Sequence, residues 1–333
     1  MAKVRICTFN CENLFVRSKF FPLPPGIKSK KAPRADVAKG LGYLPTAYSR
    51  NYNLYRDEAR VLTALALKRG NKNPYADICC LQEVENMQAL RTFNDTHLKK
   101  AYPYRLLVDS HDPRLIDVAV LSKYPVAGAV THMDEKDGKN YLFSRDCLEV
   151  NFDINGKRLA LFVNHLKSKY ATTPGQKANA DKRRQMQAER VVEILKERFP
   201  GGSYDTSNFA VLGDLNDAPF SDFLSPLVKD AGLENVIDRL PEEERWTHWW
   251  DSKNLVSQLD YILLSPSLSH STAYAKPEIE RKGISSKRKK SYLALPGDKK
   301  GQEVDFTFKR FDGVTNETEA SDHCPVFFEL SLP

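Results

Sequence analysis

What most constrains this chain is a series of short apolar runs that recur along its length: Val4–Phe9, Ala76–Leu81, Tyr104–Val108, Val118–Leu121, Leu148–Phe152, Leu159–Val163, Phe209–Leu212, Leu259–Leu264 and Val326–Leu330. They are rich in Val, Ile, Phe and Leu, and too short to be helices. Several read as strands buried on both faces. Asn155-Gly156 between two of them is a hairpin signal. Helical periodicity is clear in two places. Arg56–Lys68 leads to Gly70, and Asp181–Phe199 puts Ala188, Val191, Val192, Leu195 and Phe199 on one face before Pro200-Gly201-Gly202 stops it. A weaker helix is expected over Asn86–Lys99. Strands outnumber helices, so two sheets packed face to face with helices outside are expected, in one domain over all 333 residues. Two stretches read as insertions. Residues 17–54 carry five prolines and many lysines, and 271–316 carries a Lys/Arg cluster and a further strand expected at Asp305–Arg310.

Hydrophobic residues make up 41% and charged residues 28%, which supplies a core and excludes a disordered chain, a collagen or a coiled coil. No window nears the roughly 18 apolar residues of a membrane-spanning helix, so no stable membrane association is expected. The six cysteines lie mostly in strand-like runs without zinc spacing, and read as reduced core residues. The start, MAKVRICTFN, has no apolar leader. A cytoplasmic chain is expected, or a secreted one whose leader has been removed, acting as a monomer. The net charge is only +7, but residues 17–40, 167–184 and 276–300 together hold +17, leaving −10 for the rest.

The candidate chemistry sits where apolar runs end. Glu83 follows one, as a ligand for a hard cation would, although a lone Glu there is ordinarily a solvated strand end. His165 closes Phe162-Val163-Asn164 and can donate a proton or hold a phosphate oxygen. Asp214 and Asn216, after Val211-Leu212-Gly213, pair an anion with a neutral amide able to orient water and hold a phosphoryl oxygen; an Asx-turn explains them equally well. Asp260 places a carboxylate inside an apolar strand, where it needs a partner. His323 of Asp322-His323 can be that partner, gaining orientation and basicity, while Asp322 faces the other way, toward a metal. Asn10 ends the first run and can either bind a ligand or cap a turn.

These residues come within the segments TFNCENLF, LQEVEN, IDVAVLSKYPV, FVNHLKS, GDLNDAP, LDYILLSP and SDHCPV. In that order, over residues 4–330, they resemble the endonuclease/exonuclease/phosphatase superfamily, deoxyribonuclease I-like and nearest a bacterial nuclease branch. The resemblance implies a four-layer α/β sandwich of two mixed sheets and a divalent-metal phosphoesterase using Mg²⁺ or Mn²⁺, with Ca²⁺ as a further option. It implies Glu83 as metal ligand, with Asn10 and Asp322 as further ligands or their support. Asp214 would orient or deprotonate the attacking water, and Asn216 would hold the phosphoryl group. His323, paired with Asp260, would contact the scissile phosphate or act as base. His165 falls where the deoxyribonuclease I and sphingomyelinase branches stabilise the phosphate or protonate the leaving oxygen. Arg145 and Asp117 follow family-like patterns as substrate contacts.

The superfamily acts on several phosphoesters, so the substrate has to be read from the site. The three basic segments leave the site-bearing ends of strands, and Lys167, Lys287, Arg288, Lys289 and Lys290 are expected to rim one face for a long polyanion, DNA first with RNA as a further option. Tyr43, Tyr48, Tyr52 and Tyr170 offer stacking surfaces, although ordinary surface tyrosines explain them better. A nuclease of low sequence specificity is therefore expected. An abasic-site endonuclease fits less well, because that branch has a tyrosine-containing segment where this chain has Asn164-His165. The rival readings are a phospholipase, sphingomyelinase-like enzyme or inositol-phosphate phosphatase, with Trp246, Trp249 and Trp250 as a membrane wedge, and a binding module without activity.

Overall fold

Every apolar run named above contains a strand, with ends that shift by a few residues and in several cases take in flanking polar residues. The computed structural model describes residues 2–15, 57–68, 75–169, 171–315 and 318–333. In chain order the strands are β1 Ala2–Leu14, β2 Ile78–Val84, β3 Tyr104–Leu107, β4 Asp117–Ser122, β5 Val126–Val130, β6 Lys136–Asp137, β7 Asn140–Tyr141, β8 Cys147–Ile154, β9 Lys157–His165, β10 Phe209–Asp214, β11 Glu234–Asn235, β12 His248–Trp250, β13 Leu255–Ser257, β14 Asp260–Leu264, β15 Glu278–Ile279, β16 Lys290–Leu295, β17 Lys299–Asp305 and β18 Val326–Leu332; the main helices are α1 Asp57–Leu67, α2 Met87–Thr92 and α3 Pro174–Arg198.

Two six-stranded mixed sheets result, in the orders β15-β18-β1-β2-β4-β3 and β11-β14-β10-β9-β8-β5. β1 and β2 are parallel, as are β9 and β10. Alternation along each strand sorts the core into layers. Val4, Ile6, Val118, Leu148, Leu161, Leu212 and Ile262 fill the space between the sheets. Cys7, Phe9, Cys79 and Leu81 turn outward against Leu62 and Ala66 of α1 and Leu90 of α2. Phe162, Val211 and Leu263 do the same against Val191 and Leu195 of α3. The order helices, sheet, sheet, helix is a four-layer α/β sandwich, and it explains why the central strands lack a polar face. The Asn155-Gly156 turn is a hairpin between β8 and β9, with φ of 55° and 78°.

Three expectations are corrected. α3 starts seven residues early, at Pro174, because the Thr173 hydroxyl caps it by accepting from the Gln176 N–H; its first two turns are polar and carry no apolar period. The 86–99 helix is only α2 followed by a π-helical turn, Phe93–His97. In the 271–316 stretch the added strands are β15, β16 and β17, and β17 ends at Asp305, where Asp305–Arg310 had been expected to begin one. β16 and β17 join β12 and β13 in a separate four-stranded sheet, β12-β13-β16-β17. The 17–54 stretch, Arg56, Gly70 and the four tyrosines lie outside the described residues. Among the described residues no helix is long and apolar enough to cross a membrane.

Gly213 shows how tightly β10 is set against β9. Its φ is +137°, and a Cβ would lie 1.9 Å from the Asn164 carbonyl oxygen. Gly213→Ala is expected to cost about 3 kcal/mol or more, combining a backbone clash with strain, measured as a fall in the urea midpoint. An unchanged midpoint would show that β9 yields.

Candidate active site

The ends of β1 and β2 are irregular, and the irregularity aims the side chains. The β1–β2 register jumps from Asn10–Gln82 to Leu14–Val84, and the β2–β4 register from Leu81–Ala119 to Val84–Asp117. Glu12, Asn13 and Glu83 all adopt left-handed φ, at 46°, 63° and 62°. Bulges of this kind re-aim side chains beside active sites, and each such residue costs about 1–3 kcal/mol. The distortion is held by Asn13 N–H donating to Glu83 Oε2 at 3.1 Å and Glu12 N–H donating to Asn10 Oδ1 at 3.0 Å.

Across the cleft, β10 ends at Asp214, which is buried. Asp214 Oδ1 accepts from the Asn216 backbone N–H at 2.8 Å, so the Asx-turn forms, and φ of 57° at Asn216 folds its amide back. Asn216 Nδ2 then donates to Asp214 Oδ2 and to the Leu166 carbonyl, both at 3.0 Å. Asn10 Nδ2, from the other sheet, also donates to Asp214 Oδ2 at 3.0 Å. The Asx-turn and the functional pairing are one arrangement.

Two histidines flank Asp214 Oδ2, with His165 Nε2 at 3.5 Å and His323 Nε2 at 3.8 Å. His165 Nε2 is also 4.0 Å from Glu83 Oε1. His323 Nδ1 lies 2.8 Å from Asp260 Oδ2, which also accepts from Thr247 Oγ1 at 2.7 Å. The Asp260–His323 partnership is therefore present. Ser321 ties it to β1, its hydroxyl donating to the Asn10 carbonyl and accepting from the His323 N–H.

The two imidazoles have opposite tendencies. Burial drives the His165 pKa well below its usual range, and the charges of Arg145 and Arg114 push it further. Burial would also depress His323, but Asp260 and Asp214 outweigh it and hold that imidazole well above. Burial raises Asp214 to about 7, opposed by His323 and by the Asn10 and Asn216 hydrogen bonds. A neutral histidine, a cationic one and a carboxylate that titrates near neutrality thus share one cavity. A base of that kind suits proton transfer from water.

The structure brings together Asn10, Glu83, His165, Asp214, Asn216, Asp260 and His323. Asp322 joins at the edge, its Oδ2 3.7 Å from His248 Nε2 and its Oδ1 4.0 Å from His323 Nε2. Arg145 is buried beside His165, its Nε donating to Asp112 Oδ2 at 2.8 Å and its Nη1 to the Leu166 carbonyl at 3.0 Å. Arg114 shares Asp112. With Lys167, whose pKa is lowered by burial and by these two guanidiniums, they form a cationic wall. Asp117, at the start of β4, is buried; its Oδ1 accepts from Ser110 N–H and Oγ, which pins the loop before β4, and burial raises it to about 6. The 287–290 cluster is partly neutralised, with Arg288 on Asp251 and Lys290 on Glu303.

Glu12, Thr247, His248 and Ser321 were not singled out from the sequence. Glu12 Oε2 accepts from the Asp322 N–H at 3.2 Å. Nothing in Asn-Cys-Glu-Asn marks it, since Glu12 is the one acid there. Thr247 and His248 could have been found only from the fold, which pairs β12 with His323.

Among the described residues, two groups have the geometry to hold a cation: Asp214, Asp260 and His323, and His248, Asp322 and His323. In the first, three N–H donors converge on Asp214, and Asp260 Oδ2 is shared by His323 and Thr247, which leaves poor access for an ion. The better donor set lies at the cleft mouth. Burial and the facing carboxylates of Asp322, Glu319 and Glu83 push Glu12 well above its usual range. A divalent cation would relieve that repulsion, and carboxylate oxygens match the taste of Mg²⁺. Glu83, Glu12 and Asp322 feel one another's charge, but their oxygens are not all within 4.8 Å as in the two groups above, so they would hold such an ion partly through the waters that Mg²⁺ keeps.

Residues 7–323 match the model of the Endonuclease/Exonuclease/phosphatase family. No curated protein sequence matches the chain. Solved structures share its fold at low identity. A truncated Caenorhabditis elegans TDP2 is 16% identical over 98% of this chain and 97% of that one, with a TM-score of 0.56. Sphingomyelinase C from Streptomyces griseocarneus is 16% identical over 99% and 100%, at 0.54. A beta toxin mutant from Staphylococcus aureus with bound magnesium ions is 12% identical over 98% and 99%, at 0.51.

If Asp260 sets the orientation and charge of His323, Asp260→Asn should lower kcat on a phosphodiester by roughly three to four orders of magnitude with KM little changed. A loss below tenfold would show that His323 works without it.

Proposed function

The chain belongs to the endonuclease/exonuclease/phosphatase family, a family of metal-dependent phosphodiesterases and phosphatases, and from that premise we propose that it is a divalent-metal-dependent nuclease with little sequence preference. The observation that carries the reading is Asp214 held between neutral His165 and cationic His323, facing Glu83 across the cleft. Asp214, anchored by Asn10 and Asn216, is poised to take a proton from an attacking water. His323, held by Asp260, offers positive charge and an Nε2 donor to a phosphoryl oxygen. His165, kept neutral, can stabilise the phosphoryl oxygens or supply a proton to the departing oxygen. Asn216, fixed on Leu166, sets the Asp214 side of the cleft where the phosphoryl group would rest. Glu83, Glu12, Asp322 and Asn10 would hold Mg²⁺ or Mn²⁺. When bound, the ion supplies charge neutralisation of the phosphoester and stabilises the charge developing on oxygen. In this scheme hydrolysis proceeds by direct water attack, with no enzyme side chain as nucleophile.

The cationic wall of Arg114, Arg145 and Lys167 beside His165 supports a polyanionic substrate, DNA or RNA. A lipid substrate is less well served, because Trp246 and Trp249 are buried in a core cluster and cannot act as a wedge. The six cysteines are all buried and unpaired, which supports a reducing, cytoplasmic setting.

Plasmid DNA with Mg²⁺ or Mn²⁺ should be nicked, with EDTA stopping the reaction. Glu83→Ala and His323→Ala should each cut the rate by at least roughly a thousandfold while circular dichroism stays native. Intact plasmid across a metal panel would contradict the proposal. Arg114→Ala with Lys167→Ala should flatten the dependence of log binding constant on log salt by about 0.7–0.9 per lost phosphate contact. An unchanged slope would take these residues out of the interface.

A further inference from the structure

The sheet β12-β13-β16-β17 has one face in contact with a core and another that leads away from the active site. Trp249, Val256 and Leu293 are register partners on the inner face, packed with Trp246, Val304 and Phe306. On the outer face, register partners form two rows. One runs Trp250, Leu255, Tyr292, Glu303, and alongside it a second is made of two pairs, His248 with Ser257 and Ala294 with Lys300. The second row is a shallow trough, because the residues between His248 and Lys300 are small. The first row is its wall. At the inner end, His248 bridges to His323 on the backbone, and the two rings lie 4.7 Å apart. Four strands at the usual spacing carry the trough about 14 Å outward from His248.

We propose that this face is a platform for the single-stranded stretch of substrate beyond the cleaved ester, its bases stacking on Trp250 and Tyr292. The inference rests on the nuclease reading above and names where that substrate lies. The platform is continuous with the site through His248. Both aromatic rings carry a lysine ammonium, Lys253 at 3.6 Å from the Trp250 centroid and Lys300 at 4.7 Å from that of Tyr292. A base is planar and can take the lysine's place on the ring; Lys253 Nζ also bonds Asp298 Oδ2 at 2.6 Å, so it is the Lys300 ammonium that would turn to the flanking phosphate. A lipid surface would ask for bare aromatic tips, and these rings are each paired with a cation.

Trp250 is 38% exposed, whereas Trp246 and Trp249 are 2% and 6% exposed, so a ligand on the platform changes the emission of one tryptophan. In EDTA, where nothing is cut, a short oligothymidylate should quench the fluorescence saturably. Trp250→Phe should remove the quench and keep the affinity, because it keeps a stacking ring. Trp250→Ala with Tyr292→Ala should raise KM for the oligonucleotide about tenfold or more, with kcat at saturation retained. Absence of a quench, or an unmoved KM in the double variant, overturns the platform. Quenching by phosphatidylserine-containing vesicles but not by the oligonucleotide overturns it in favour of a membrane surface. Wild-type protein that cleaves neither the oligonucleotide nor bis(p-nitrophenyl) phosphate would defeat the nuclease reading, while the quench, read without turnover, still decides the platform.

Discussion

Asn10 and Asp214 belong to different sheets, and the 3.0 Å hydrogen bond between their side chains closes the inner end of the cleft. The bond requires the two sheets to present β1 and β10 with their ends side by side, which the shared inter-sheet core enforces. It also requires Gly213, since no side chain fits against the Asn164 carbonyl. Once Asp214 is fixed, His165 on the neighbouring parallel strand and His323 on the loop before β18 fall on either side of it. Catalytic geometry here follows from sheet packing rather than from flexible loops. The strain at Glu12, Asn13, Glu83 and Asn216 is confined to the strand ends, where it is offset by hydrogen bonds within the site.

Charge is organised in the same manner. Many of the basic residues that stand out in the sequence are neutralised in the fold. Arg184 is fully buried on Asp217 and Asp181, Lys169 also contacts Asp217, and Lys282 sits on Glu280. The positive potential that matters for an anion is therefore local. It comes from Arg114 and Arg145, both on Asp112, with Lys167 beside them, and it adds to the burial that keeps His165 neutral. Opposite them, carboxylates crowd at Glu12, Glu83 and Asp322. A phosphodiester and a divalent cation are the pair of ligands that would satisfy both halves.

Much of this was legible in the sequence, for a physical reason. Central strands covered on both faces must be apolar throughout, so β1, β2, β4, β9 and β10 announced themselves, and a polar residue closing such a run stood out. Asp260 was legible because a carboxylate inside an apolar strand needs a partner, and His323 supplied it. The remainder depended on tertiary structure. β17 is a polar edge strand, Lys-Lys-Gly-Gln-Glu-Val-Asp, with a composition no different from a loop, and β16 beside it is a short run entered from the basic 287–290 cluster. The first turns of α3 are polar, and only the Thr173 cap marks them. Asp117 matched the pattern of a site residue, and the fold shows its carboxylate accepting from Ser110. Glu12 became visible only once a bulge turned it toward Asp322.

The proposed metal site draws on carboxylates from β1, from β2 and from the loop before β18, beside Asp214 and His323. An anomalous difference map from Mn²⁺-soaked crystals tests it most directly. The account predicts a peak within coordination distance of the Glu83 carboxylate, at the mouth between the two sheets. A peak confined to some other part of the surface, or none in Mn²⁺ at millimolar concentration, would contradict it.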